Sequence, residues 1–190
     1  MKSLRLMLSV VLLSLSAMAF AQSDAQKPIA QSDAQKSFAK LKTLAGSWEG
    51  KVTTDPKEFI TGNNLMQVTL RVTSMGNALM HEMKGDAPDD PITMMYLDQD
   101  RLLLTHFCDA GNRPRMTGKL SPDGKILEFE FLDVAGNTQH GHMHHAVFTF
   151  IDENHHSEDW TFILKGDKGD KTVHAHIDLQ RTNKQQALSR

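Results

Sequence analysis

The chain has 190 residues, 39% of them hydrophobic, one cysteine and a formal charge of −2. A lone cysteine excludes an intramolecular disulfide framework, so a hydrophobic core must hold the fold. The small, interspersed charge lacks the basic footprint that nucleic-acid binding requires.

At the N-terminus, Lys2 and Arg5 border an apolar run over residues 6–20, and Ala19-Phe20-Ala21 supplies small residues for a cleavage site. This predicts a secretory signal peptide over residues 1–21, too short for a membrane span. The mature chain would then be periplasmic or secreted, with no membrane span and a formal charge of −4 once Lys2 and Arg5 are removed. The heptapeptide AQSDAQK occurs at residues 21–27 and again at 30–36. Its small polar composition predicts a flexible spacer over 22–36. Phe38, Leu41 and Leu44 then recur at helical spacing ahead of Gly46, which predicts a short amphipathic helix over 34–45. The folded domain is expected over 37–182, with 183–190 as a C-terminal tail.

Beyond Gly46 the period changes to two. Ten strands are predicted, at 47–53, 66–73, 78–84, 92–98, 101–108, 114–120, 126–132, 141–151, 158–164 and 172–181. Gly, Asn, Asp and Pro clusters such as Ser121-Pro122-Asp123-Gly124 separate them. Short strands with tight connections form an antiparallel meander, and closure removes its exposed edges. The fold class expected is an all-β, up-and-down, lipocalin-like barrel of about ten strands behind a short N-terminal helix. A two-sheet sandwich is the alternative.

Alternation sorts side chains by face. Val68, Leu70 and Val72 share one face of their strand, and Leu127, Phe129 and Phe131 share one face of theirs. By the same rule His142 and His144 share the face of Ala146, Phe148 and Phe150 and should look inward, with His145 outward and His140 at the rim. His81, between Leu79 and Met83, should also be inside, as should His106 and Cys108. Val173, Ala175, Ile177 and Leu179 claim the inner face of the last strand, so His174 and His176 should face solvent. His155 and His156 are read as solvated turn residues.

Three chemistries fit an inward histidine layer. His142 and His144 with His81 could hold zinc, with His106 or Cys108 as an alternative third ligand. The layer could instead be a hydrogen-bonded structural stratum. It could also orient a small apolar molecule in a cavity lined by Met66, Met94, Phe129, Phe131, Phe148, Trp160 and Phe162, with Asn112 and Arg115 as further polar contacts. We expect the third, with a metal- or haem-dependent protein or enzyme on the same histidines as the alternative. No nucleophile elbow, phosphate loop or paired-carboxylate motif is present. Enzyme status and oligomeric state are left open.

The segment LAGSWEG at 44–50 is similar to the Gly-x-Trp start of lipocalin-like barrels, and Arg181 resembles the arginine that packs over that tryptophan. The segments THFCDAGNRPRM at 105–116 and GHMHHAVFTFIDENHHSEDW at 141–160 resemble an uncharacterised bacterial family of exported barrel proteins, a domain of unknown function. More distantly, the strand count resembles nitrobindin-type and fatty-acid-binding barrels. The former implies haem on an inward imidazole, the latter an inward arginine for a carboxylate. The sequence departs from the nitrobindin pattern at Lys51 and Val52.

Overall fold

The structure, a computed structural model, describes residues 30–59, 62–86 and 88–182. The predicted signal peptide, most of the spacer and the C-terminal tail lie outside these residues. Helix α1 (Asp33–Lys42) opens with a capping box: the Gln35 amide donates to Ser32 Oγ at 3.2 Å and the Ser32 amide donates to Gln35 Oε1 at 2.8 Å. Residues 34–36, shared by the predicted spacer and the predicted helix, are helical, and the helix begins one residue earlier at Asp33.

Ten antiparallel strands follow: β1 (Gly46–Asp55), β2 (Leu65–Thr73), β3 (Ala78–Lys84), β4 (Ile92–Asp98), β5 (Arg101–Phe107), β6 (Asn112–Leu120), β7 (Ile126–Gly136), β8 (Gly141–Phe150), β9 (His155–Leu164) and β10 (Lys171–Arg181). Each pairs with its sequence neighbours, and β1 pairs with β10, so the sheet closes into an up-and-down barrel. Closure requires close approach between β1 and β10. A Cβ on Gly50 would lie 1.9 Å from the Asp178 carbonyl oxygen, so only glycine fits there. Among the described residues no helix is long and apolar enough to cross a membrane.

The barrel is plugged at one end. Phe38 and Leu41 of α1, with Leu44 beyond it, are buried in the same core as Trp48, Leu79, Leu127, Phe129, Phe148 and Leu179. Each large apolar side chain buried there contributes about 1.5–3 kcal/mol. Trp48 Nε1–H donates to the Leu44 carbonyl at 2.8 Å, and the Arg181 guanidinium lies 4.0 Å over the indole. That guanidinium also donates to the carbonyls of Ala45, Glu153 and Thr43. One cation thereby ties the helix exit, the β8–β9 turn and the last strand together.

The opposite end is looser. Val52, Met66, Met143, Phe162 and Ala175 face inward but are only half-buried. Two bulges sit side by side here, with Leu132 as the extra residue in β7 and His144 in β8. The β7–β8 ladder stops at Glu130–His145, so the two strands part above that pair.

Candidate functional site

The functional candidate grows out of β9. Its inward residues are His156, Glu158, Trp160 and Phe162. The strand begins three residues earlier than predicted, because the amides of Ile151 and Asp152 both donate to the His155 carbonyl and close the hairpin. This corrects the reading of His156 as a solvated turn residue: it is fully buried, and its ring meets Trp48 edge-on at 4.2 Å. His155 is half-buried and hydrogen-bonds Asp178 through Nε2.

Glu158 is fully buried and is the hub of the interior. The His81 Nε2 lies 3.0 and 3.1 Å from its two oxygens, the His156 Nε2 lies 3.1 Å from Oε1, and Trp160 Nε1–H donates to Oε2 at 3.0 Å. Burial alone would raise the Glu158 carboxyl. The charge and hydrogen bonds of His81 and His156 reverse that and hold it well below the usual carboxylate range. An ionised Glu158 fixes both imidazoles with a proton on Nε2. The Nδ1 atoms of His81 and His156 are buried without a protein partner.

His106 completes the layer from β5, with Nδ1 2.8 Å from Thr93 Oγ1. Burial, then the nearby His81, push its pKa down to about 4, so it is neutral at physiological pH. Trp160 sits between the imidazoles of His81 and His106, at centroid distances of 5.6 and 5.8 Å, and meets Phe148 edge-on at 5.8 Å.

The remaining expected site residues do not join this layer. His142 and His144 hydrogen-bond each other (Nε2 to Nδ1, 3.2 Å) and stack on Phe131, at 4.9 and 4.6 Å. The bulge at His144 breaks the alternation: Met143 packs against the core, and His142 pairs with Ile163 on the outward parity of β9. The predicted grouping of these two with His81 is therefore corrected. Arg115 is also corrected. Alternation in β6 turns Asn112, Pro114 and Met116 inward and Arg115 outward, where it pairs with Asp133. Met94 likewise lies on the opposite face from the buried Thr93 and Met95.

Asn112 is buried but works on the backbone, its amide donating to the Asn137 and Gly141 carbonyls at 2.7 and 2.6 Å. This pins the β7–β8 connection where the strands part. Cys108 is half-buried, and burial pushes its thiol up. Among the described residues no hydrogen bond joins it to His106, whose Nδ1 meets Thr93.

For metal binding, donors must converge on one point. Inside the barrel the two Nε2 atoms instead flank a shared carboxylate. Among the described residues, the one group of three such donors within 4.8 Å is Glu128, Glu130 and His145, on the outer wall. Sequence reasoning missed Glu158 altogether, although its parity with Trp160 and Phe162 was the available signal.

No protein-family model matches the chain, and no curated protein does. Among solved structures, a protein of unknown function from the DUF3598 family of Nostoc punctiforme is similar at 12% identity with a TM-score of 0.53. That match covers 82% of this chain and 51% of the other, so this chain spans about half of that protein. Rv2717c from M. tuberculosis gives 13% identity and a TM-score of 0.47, covering 77% of this chain and 98% of that one. Rhizavidin in its biotin complex gives 9% and 0.29, covering 73% and 100%. What the DUF3598 likeness shows is a shared barrel fold.

Proposed function

We propose that the protein is an exported carrier that binds a small, uncharged, mostly apolar molecule in the open end of its barrel, above the His81–Glu158–Trp160–His106 layer. The export half of this reading is supported by the charged, apolar, small-residue order of residues 1–21. The binding half is carried by one observation. Trp48, Leu79, Leu127, Phe148 and Leu179 are fully buried toward the helix end, whereas the inward Val52, Met66, Met143, Phe162 and Ala175 are only half-buried at the other. An apolar wall over a floor with a few fixed polar groups is the usual make-up of a small-molecule site.

The charge of the floor sets the ligand's class. Glu158 is a fixed carboxylate, His106 is neutral, Arg115 pairs outside with Asp133, and Arg181 lies over Trp48 at the closed end. A fatty-acid carboxylate would find no free guanidinium here. A larger groove of about 1000 Å³ lies beside the first turn of α1, among Asp33, Lys36, Arg101, Lys119 and Glu128. Its charged lining is exposed and of mixed sign, and its buried polar side chain, Ser37, is already spent on the Asp33 carbonyl at 2.7 Å.

Ala175 pairs with Trp160 and Thr54 inside the cup, so Ala175→Phe should fill the volume a ligand would take. The neutral fluorophore N-phenyl-1-naphthylamine should bind the wild type and lose at least tenfold in affinity for this variant. Equal affinity in both proteins, with the variant folded, would overturn the reading.

A further inference from the structure

On the outer wall, β10 alternation exposes His174 and His176 side by side, two residues apart on one face. Each has its Nδ1 occupied by the neighbouring strand. His176 Nδ1 lies 2.7 Å from Asp159 Oδ1, and His174 Nδ1 lies 3.2 Å from Thr161 Oγ1. In the neutral tautomer the Asp159 carboxylate holds the ring proton of His176 on Nδ1 and leaves Nε2 with the lone pair, as carboxylates behind metal-binding imidazoles do, while the Thr161 hydroxyl can serve His174 Nδ1 in either tautomer. Both rings border a concavity of about 180 Å³ shared with Thr53, Asp55 and Asp159. Asp55 is the cross-strand partner of His174 on β1, which brings a further carboxylate to the same edge.

We propose that His174 and His176 form a chelating site for a divalent transition-metal ion of the zinc class, with Asp159 as a positioning residue and Asp55 as a third donor. Alternate strand residues are spaced by roughly 6.6 Å. Two Nε2 atoms on a tetrahedral zinc, with bonds of about 2.0–2.1 Å, must come to roughly 3.3 Å apart. Rotation of two exposed side chains closes that gap without moving the backbone. Nitrogen donors with one carboxylate favour zinc-class ions over calcium or magnesium, which take oxygen. The competing outer cluster of His145, Glu128 and Glu130 offers one imidazole. Its Nε2 is already 3.0 Å from Glu128 and 3.8 Å from Glu130, and Lys119 is the cross-strand partner of Glu128.

The two imidazoles lie on the outer face of β10, opposite the inward Ala175 and Ile177. The test is a calorimetric titration of the full chain with Zn²⁺ in a non-coordinating buffer near pH 7.5, alongside long-range ¹H–¹⁵N imidazole spectra. Expected is one equivalent bound, with metal-induced shifts at Nε2 of His174 and His176. His174→Ala and His176→Ala should each weaken binding at least tenfold, Asp159→Asn severalfold, and His145→Ala not at all. Wild-type affinity in the His174→Ala/His176→Ala double variant, or loss of zinc only in His145→Ala, overturns the assignment.

Discussion

The two ends of the barrel use histidine in opposite ways. At the closed end His156 and His81 clasp a buried carboxylate, Trp160 completes its hydrogen bonds, and the Trp48–Arg181 pair seals the layer. At the open end His142 and His144 hydrogen-bond each other and pack on Phe131, beside strands that have already parted. The difference lies in what each group would lose on exposure. A buried charge that loses its partner retains its desolvation cost, whereas a half-exposed imidazole exchanges one hydrogen bond for another with water.

That contrast is broken most directly at its centre. Glu158→Ala should leave two imidazoles and an indole without their acceptor and cost about 3–5 kcal/mol, read from the urea midpoint. A loss below about 1 kcal/mol would show that the layer is not the keystone of the closed end.

Acid should reveal the same asymmetry. The folded His106 is neutral down to about pH 4, whereas an unfolded histidine takes a proton near 6.5. The unfolded state therefore binds more protons between these values, so stability should fall by roughly 2–4 kcal/mol as pH drops from 6.5 to 4 and be flat above 6.5. The depressed Glu158 adds a second loss, which begins below its ordinary value of 4.5, where the unfolded carboxylate protonates first. His106→Gln should remove the upper phase and keep the lower one. Persistence of the upper phase in that variant would assign it to another group.

Arg181→Ala should cost about 1–2 kcal/mol through the lost cation–π contact and packing on Trp48. A thermal melt indistinguishable from wild type would show that neither the indole contact nor the three carbonyl hydrogen bonds hold the closed end together. The smallest effect is expected at the open end, where His142→Ala with His144→Ala should cost about 1 kcal/mol or less. A loss matching that of Glu158→Ala would erase the distinction between the two ends.

Much of the barrel was readable because alternation is a local signal. Val173, Ala175, Ile177 and Leu179 against His174 and His176 gave the correct faces of β10, and residues 78–84 and 92–98 gave two strands with their observed bounds. The candidate site was harder, for two physical reasons. A bulge is defined by its partner strand: nothing within residues 141–150 reveals that His144 faces no residue of β9, yet that vacancy inverts the meaning of parity at His142. Buried charge is equally hidden, because an acidic residue at the first position of a predicted strand looks like an exposed strand end until its hydrogen-bond partner His81, 77 residues away, is brought beside it.

The bulge also bears on how such a chain can change length. The β8–β9 pairs on either side of His144 run in registers one residue apart, and each side is continuous in itself. Deleting His144 would merge the two registers and leave every remaining pair with its present partner. The position is thus a place inside a strand where the loss of a single codon leaves the paired residues of the sheet as they were.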